Sequence, residues 1–355
     1  MPAIALSQTI LKSNQEMKVF FAGRPRSTEE KLASNAGLTF VSIHSASFKK
    51  GILKKISFFI LVIYGFFQSL FFILKLKPDY IVGFGGYTSF PLLFAGIILK
   101  KNVTVHESNA IPGKAVTLLV KAGAKFAYGV VSENKKMLDL ILKTKKKDKA
   151  CFTGNPVRKS IINADKNKGY ELSGFSKEKP IILVIGGSQG SKTMNTKVAE
   201  SICSLKNTIS DLQVIHIAGK NNEENVREIY TTAKINNYVI DYTDQIGALY
   251  KIADIAVARA GALTIAELST VGLPALLIPF PYATDGHQSE NAMNMERAGA
   301  AKIIFENELN VDLVAKTLSE VINDENVRKK MSNAAVSLAV KDADKLLYDF
   351  VIKNG

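Results

Sequence analysis

The stretch from Ala258 to Ala292, ARAGALTIAELSTVGLPALLIPFPYATDGHQSENA, leaves a chain little choice of fold. Apolar Ile255–Ala258 reads as a strand running into Arg259 and Gly261, and a helix carrying Thr264 and Glu267 follows. Gly272 and Pro274 stop that helix, a second apolar strand spans Ala275–Pro279, and a polar loop, Ala283–Asn291, opens the next helix. Strand, helix and strand joined this tightly build a parallel sheet covered by helices. A strand that turns on glycine into a helix points free backbone N–H groups and the helix dipole at an anion. In open α/β sheets, ligands sit at the strands' carboxyl ends. The stretch is therefore expected to hold a phosphate at Gly261. Glu267, one turn into the helix, would accept bonds from sugar hydroxyls, and His287 and Gln288 would approach from the neighbouring strand. Gly and Pro acting as mere punctuation account for Gly261 alone as well as a phosphate seat does. They do not account for a phosphate turn, a helix carboxylate and a glutamine-bearing loop in one unit, a combination that points to a nucleotide-sugar site.

A second glycine turn precedes it. Pro180–Ile185 reads as a buried strand, and Gly186-Gly187-Ser188-Gln189-Gly190-Ser191 turns it into a helix over Lys192–Ser204. This is neither a Walker loop nor a dinucleotide fingerprint. Two such turns in one domain suit a diphosphate, which gains from N–H donors on two sides. Leu212–Ala218 and Tyr238–Ile240 read as further strands, and Ile246–Ile252, Asn310–Ile322 and a segment starting near Asp324 as helices.

The first half follows the same rhythm. Pro2–Leu11 is helix-like, Met17–Phe21 is the first strand, and Leu38–Ile43 and Tyr80–Gly83 are the next, the latter feeding a helix expected to start near Pro91. Val103–Val105 is a strand with His106, Glu107, Ser108 and Asn109 bunched beyond its end. They are candidates for substrate contact, or else a helix cap and a satisfied pair. Asn155-Pro156 breaks the pattern. The lysine-rich segment that follows, as far as Lys179, is the best domain boundary in a chain of 355 residues, long enough for two cores.

Lys and Arg number 46 against 32 Asp and Glu, a net charge of +14. With no nucleic-acid module in the sequence, that excess suits an anionic membrane or ligand. Ile56–Leu74, ISFFILVIYGFFQSLFFIL, carries no charge and is edged by Lys54, Lys55 and Lys75. Its length approaches the roughly 20 residues of a membrane span. A true span would place the strands before it and after it on opposite sides of a bilayer, although they belong to one sheet. A helix at the membrane surface or partly buried is therefore favoured. Lys143–Lys149 reads as a solvated helix end. Cys151 and Cys203 fit no redox or metal spacing and are expected to be buried, reduced thiols. The four histidines form no ligand pattern, and no metal is expected.

GGYTSFP, HESN, GNPVR, GGSQGS, RAGALTIAE, GLPALLIPFP and DGHQSENA, in this order over nearly the whole chain, resemble the bacterial MurG-type N-acetylglucosaminyltransferases. These enzymes move GlcNAc from UDP-GlcNAc to undecaprenyl-pyrophosphoryl-MurNAc-pentapeptide (lipid I), forming lipid II for peptidoglycan. The resemblance implies a GT-B fold of two Rossmann-like domains with parallel sheets and an interdomain cleft. Residues 1–158 would face membrane and acceptor, residues 159–341 would bind UDP-GlcNAc, and 342–355 would form a helix returning to the first domain. It implies donor contacts at Asn109, Arg158, Ser188 (diphosphate), Thr243 (uracil), Ala262, Leu263, Thr264, Ile265, Ala266, Glu267 (ribose) and Gln288 (GlcNAc hydroxyls). It also implies no cofactor, anionic phospholipid and other cell-wall synthesis proteins as partners, and a peripheral place on the cytoplasmic face of the inner membrane.

The family begins with a strand and a Gly-Gly-x-Gly-Gly-His loop whose histidine is its leading general base. This chain resembles it only from Pro2-Ala3-Ile4-Ala5-Leu6 onward. Either Met1 is not the natural start, the favoured reading, or part of the site is lost, and His106 and Glu107 are then weak substitutes near the acceptor. The expected chemistry is an inverting displacement at the anomeric carbon by the acceptor C4 hydroxyl. Helix N-termini at Ser188 and Gly261, helped by Arg259, would meet the charge growing on the departing UDP. One preorganised donor is worth about 10²–10³ in rate. Without a general base the chain as written is expected to bind UDP-GlcNAc and to transfer its GlcNAc feebly or not at all, a loss of ~10²–10⁴ in rate. Two alternatives stay open, a diacylglycerol glycosyltransferase of the same fold and a membrane-docked subunit that binds donor without catalysis.

Overall fold

The computed structural model describes residues 2–45, 52–145, 149–187 and 190–353. The chain divides into two compact units, Met1–Arg158 with Asp342–Gly355, and Lys159–Lys341.

The first unit runs α1 (Pro2–Ser13), β1 (Phe20–Gly23), α2 (Thr28–Asn35), β2 (Thr39–Ser42), α3 (Ile52–Leu76), β3 (Tyr80–Gly83), α4 (Gly86–Ile98), β4 (Asn102–Glu107), α5 (Lys114–Ala122), β5 (Lys125–Tyr128), α6 (Lys135–Lys145) and β6 (Ala150–Phe152). Among the described residues its strands pair in parallel as β1-β2 and, separately, β3-β4-β5-β6. Val103, Val105 and Phe126 project from the sheet into a core closed by Leu93 of α4 and by Val116 and Leu119 of α5.

Three expectations shift here. The first strand lies at Phe20–Gly23, not Met17–Phe21. Helix α4 starts at Gly86 and contains Pro91 in its second turn, where the ring costs one ladder bond but does not end the helix. Strand β4 runs through Glu107, because β5 pairs with it as far as Glu107 opposite Tyr128. His106 and Glu107 therefore lie inside the strand, not beyond it.

Helix α3 has two unlike faces. Phe58, Gly65, Ser69 and Ile73 face inward and are buried. Gly65 lies so close to the His44 carbonyl that an added Cβ would come within 1.9 Å of that oxygen. Gln68 Oε1 accepts the His44 backbone N–H at 2.9 Å, stapling the helix to the chain after β2. The opposite stripe, Ile56, Phe59, Ile60, Ile63, Tyr64, Phe67, Phe71 and Leu74, is 52–63% exposed.

The second unit runs α7 (Lys159–Ile162), α8 (Lys166–Ser173), β7 (Ile181–Ile185), a π-helical turn (Met194–Val198) leading into α9 (Ala199–Ser204), β8 (Gln213–Ile217), α10 (Glu223–Thr232), β9 (Asn236–Ile240), α11 (Ile246–Ile252), β10 (Ile255–Ala258), α12 (Ala262–Val271), β11 (Ala275–Leu277), α13 (His287–Arg297), β12 (Ala301–Ile303), α14 (Val311–Asn323) and α15 (Glu325–Leu338). Its strands form one parallel sheet in the order β12-β11-β10-β7-β8-β9, the doubly wound order. IILVI of β7 and IAVA of β10 are apolar on both faces because helices cover both. Gly272, left-handed at φ 68°, ends α12, and the Asn310 and Asp324 side chains cap α14 and α15. The last helix, α16 (Ala343–Ile352), belongs to the first unit, where Leu347, Phe350 and Val351 pack with Leu6 of α1 and Ala127 of β5.

Candidate functional site

In the second unit the chain leaves β7 toward β8 and β9, then returns to β10 on the other side of β7. Adjacent loops diverge at such a reversal and leave a crevice at the strands' carboxyl ends. The two turns singled out in the sequence, Gly186–Ser191 after β7 and Arg259–Gly261 after β10, are the two loops that flank it.

Glycine is required in the first turn. Gly187 and Gly190 have φ of 90° and 74°, and a Cβ on Gly190 would stand 2.5 Å from the Ala218 carbonyl. Gly190→Ala is therefore expected to lower the melting temperature and to weaken UDP binding at least tenfold, as calorimetry would show. Unchanged affinity would detach this turn from the ligand. Ser188 and Gln189 lie outside the described residues. Beyond the turn, the helix expected over Lys192–Ser204 contains the π-helical turn, held by Asn195. Its Nδ2 donates to the Ala218 carbonyl at 2.8 Å and its Oδ1 meets His216 Nε2 at 3.2 Å. Tyr230 Oη lies 2.9 Å from His216 Nδ1. The Asn195 oxygen can only accept, so His216 carries its proton on Nε2 and Tyr230 donates to Nδ1. Burial pulls the His216 imidazole down to about 3 and pushes the Tyr230 phenol well up, so the network is neutral.

In the second turn no side chain caps α12 at Gly261, so the first N–H groups of that helix stand at the crevice without a capping oxygen. Ala262 is buried, while Leu263, Thr264, Ile265, Ala266 and Glu267 are half-buried along the first turns. Glu267 Oε2 accepts from the Tyr250 phenol of α11 at 3.0 Å. Gln288 and His287 lie in the first turn of α13, not in a loop, because the helix begins at His287 directly after the left-handed Gly286 (φ 70°). Gln288 Oε1 accepts the Phe280 N–H at 2.9 Å, which orients its amide NH2 away as a donor. Asn291 Nδ2 ties α13 to the Ala260 carbonyl at 3.2 Å. Thr243 sits before α11 with its hydroxyl accepting the Gln245 N–H at 3.0 Å.

Arg259 differs most from expectation. Its guanidinium is engaged by Glu306 at 2.5 Å, by the Ile278 and Pro279 carbonyls at 3.1 and 3.3 Å, and by Ser191 Oγ at 2.8 Å. Sequence reasoning missed Glu306, Ser191, Tyr250 and Asn291. Asn291, one helical turn beyond Gln288, was within reach of spacing arguments. Ser191 closes the first glycine turn but gave no sign of its bond to Arg259, and Glu306 and Tyr250 had no local signal.

In the first unit, His106 is fully buried and donates from Nε2 to the Gly154 carbonyl at 2.9 Å. Burial lowers it to about 4, against a smaller upward pull from that bond. Glu107, also buried, accepts from Asn109 N–H (3.0 Å), Asn109 Nδ2 (2.9 Å) and Gly113 N–H (2.9 Å). The pair shapes the loop that carries Asn109, and Arg158 is the last residue before the second unit. Cys151 and Cys203 are free and half-buried, not fully buried, and burial raises both thiols, Cys203 to about 11. A polar cavity of about 400 Å³ bordered by Lys179, Pro180, Asp254 and Arg328 lies at the opposite, amino-terminal edge of the sheet, away from both glycine turns.

Comparison with known proteins agrees with this geometry. Residues 1–127 match the N-terminal domain of glycosyltransferase family 28, and residues 181–347 match its C-terminal domain. The chain is 34% identical to the UDP-N-acetylglucosamine--N-acetylmuramyl-(pentapeptide) pyrophosphoryl-undecaprenol N-acetylglucosamine transferase of Halothermothrix orenii, over 94% of this chain and 90% of the relative. It is 32% identical to the protein of the same name from Caldanaerobacter subterraneus subsp. tengcongensis, over 99% and 95%. The crystal structure of Acinetobacter baumannii MurG superposes with a TM-score of 0.74 at 24% identity, covering 99% of this chain and 95% of that one. The chain accordingly belongs to glycosyltransferase family 28, among its MurG-type members, and is a hexosyltransferase of the two-domain GT-B class.

Proposed function

We propose that this protein transfers N-acetylglucosamine from UDP-GlcNAc to the C4 hydroxyl of the MurNAc in lipid I, with inversion, making lipid II for peptidoglycan. The observation that carries the reading is the meeting of two glycine turns at the strand-order reversal, with Glu267 and Gln288 on the helices that follow β10 and β11. The turns would bind the diphosphate through backbone N–H groups, Glu267 the ribose and Gln288 the sugar. Ser188, Thr243 and Ala262–Ala266 would complete the donor contacts. The relatives' names specify the same donor sugar and a lipid-linked acceptor.

The acceptor's polyprenyl tail calls for a membrane face, and the exposed stripe of α3 supplies one, with Lys75 and Lys77 at its end. A helix stapled along its inner face by Gln68 and Gly65 suits a position in the plane of the interface, its outer face in the acyl boundary. Burying an exposed Phe contributes ~1–2 kcal/mol. The double change Phe67→Ser and Phe71→Ser is expected to cut partitioning onto anionic vesicles ~30-fold or more in cosedimentation. Unchanged partitioning would place the membrane face elsewhere.

The reaction itself is tested with labelled UDP-GlcNAc and vesicles holding lipid I and diacylglycerol. Label in lipid II supports the proposal, and label in a glycolipid selects the diacylglycerol enzyme. Donor binding without transfer selects the non-catalytic subunit.

A further inference from the structure

In a parallel sheet the ladder hydrogen bonds stop where the strands stop, so loops at the carboxyl edge are not held to one another by the sheet. In the second unit, one guanidinium spans four of them. Arg259, after β10, donates from Nη2 to Ser191 Oγ in the turn after β7 and from Nη1 to the carbonyls of Ile278 and Pro279 after β11. Its Nη1 also meets Glu306 after β12. The Phe280 ring lies 5.5 Å from the guanidinium carbon. Glu306 uses its other oxygen to accept from Thr193 Oγ1 at 2.8 Å, returning to the segment after the first glycine turn. The backbone of Phe280 then holds Gln288 Oε1. The contacts thus run without interruption from the phosphate turn to the amide proposed to read the sugar.

The electrostatics point the same way. The Arg259 and Glu306 side chains are 12% and 25% exposed, so the pair is largely desolvated and its charges cancel locally. A guanidinium committed to a carboxylate and two carbonyls is poorly placed to follow charge developing on a leaving phosphate. A planar fork of five donors is well suited to fixing several loops at once.

We propose that Glu306 and Arg259 form a positioning clasp that sets the spacing between the diphosphate turn and Gln288, and that Arg259 does not itself bind the donor's phosphates. The clasp thereby determines how strongly the site prefers UDP-GlcNAc over UDP. This rests on the reading that UDP-GlcNAc occupies the crevice.

Calorimetric titration of the full chain with UDP and with UDP-GlcNAc, on the wild type and on Glu306→Ala, Arg259→Ala, the double variant and Glu306→Gln, tests it. The expected result is that Glu306→Ala lowers the preference for UDP-GlcNAc over UDP about 5- to 10-fold. The double variant should be no worse than Arg259→Ala, and Glu306→Gln, which keeps an acceptor, should recover part of the preference. If Glu306→Ala tightens binding of both nucleotides, the freed guanidinium is a phosphate ligand and the clasp is overturned. If melting temperature falls while the preference is unchanged, the pair is structural only and the proposal fails. A wild type that binds neither nucleotide overturns the donor reading itself, an outcome visible before any variant is compared.

Discussion

Replacing Glu267 by alanine is expected to weaken UDP-GlcNAc binding roughly 10- to 150-fold, the value of a hydrogen bond to an ionised partner of ~1.5–3 kcal/mol. The carboxylate sits in the second turn of α12, half-buried, and the Tyr250 phenol fixes one of its oxygens at 3.0 Å. An acceptor held by a neighbouring side chain loses little rotamer entropy when a diol arrives, so most of its interaction energy is realised in binding. Tyr250→Phe removes the orienting bond and leaves the acceptor, and should cost only about fivefold. Titration with UDP separates the ribose contact from the sugar contacts, because UDP carries the ribose and lacks GlcNAc. Equal losses for UDP and UDP-GlcNAc on Glu267→Ala place the carboxylate on the ribose. A loss confined to UDP-GlcNAc would move it to the GlcNAc, and no loss with either would remove it from the site.

Acid is expected to destabilise both units through one buried histidine each. His106 and His216 titrate at about 4 and about 3 in the fold, against about 6.5 in an unfolded chain. Between those values the unfolded chain binds the extra proton, so stability is full above about pH 6.5 and falls as the pH drops below it. Each imidazole removes ~1.4 kcal/mol per pH unit below that point, roughly 3 kcal/mol by pH 4.5, against a total stability of order 5–15 kcal/mol for a domain. The cause is desolvation. A second proton on His216 would go to Nδ1 and turn the Tyr230 hydroxyl from donor to acceptor, placing a charge in a site shut off from solvent. Urea unfolding between pH 7 and 4.5 measures the effect. His216→Gln should start less stable, since it disturbs the Asn195 network, yet lose ~1.4 kcal/mol less per pH unit than the wild type. Parallel slopes for the two proteins would refute the assignment.

That network also bears on the site. Asn195, whose oxygen meets His216, holds the π-helical turn that follows the first glycine turn. Asn195 thereby ties the helix that leaves the first glycine turn to the carboxyl end of β8, through His216 and the Ala218 carbonyl. Irregular helical turns of this kind are frequent at functional sites.

Much of the architecture was legible in the residues. Apolar runs such as IILVI and IAVA between glycine turns and helices read as strands of a parallel sheet covered on both faces, and Gly190 and Gly272 stand where the backbone takes positive φ. The places of both glycine turns and of Glu267 on its helix could be read from local order, because a strand, turn and helix place their residues by short-range geometry alone, whereas Gln288, expected in a loop, lies in the first turn of α13. The start of α4 and the extent of β4 could not be read that way. Pro91 is tolerated by a helix packed on both sides, and β4 runs on because β5 offers it a partner.

What the sequence alone determined is the alternation of strands and helices and the location of the turns, since propensity, periodicity and glycine conformation act over a few residues. What only the tertiary structure decided is how side chains far apart in the chain are spent. Arg259 has the look of an anion ligand beside a glycine turn, but Glu306 reaches it from 47 residues away. His106 has the look of a base at a strand end, but the Gly154 carbonyl holds it from 48 residues away. Ile56–Leu74 has the look of a membrane span, but His44 and the inner wall of the first unit claim one of its faces. In each case the deciding energy is a pairing or desolvation term, and such terms exist only once the fold has brought the partners together.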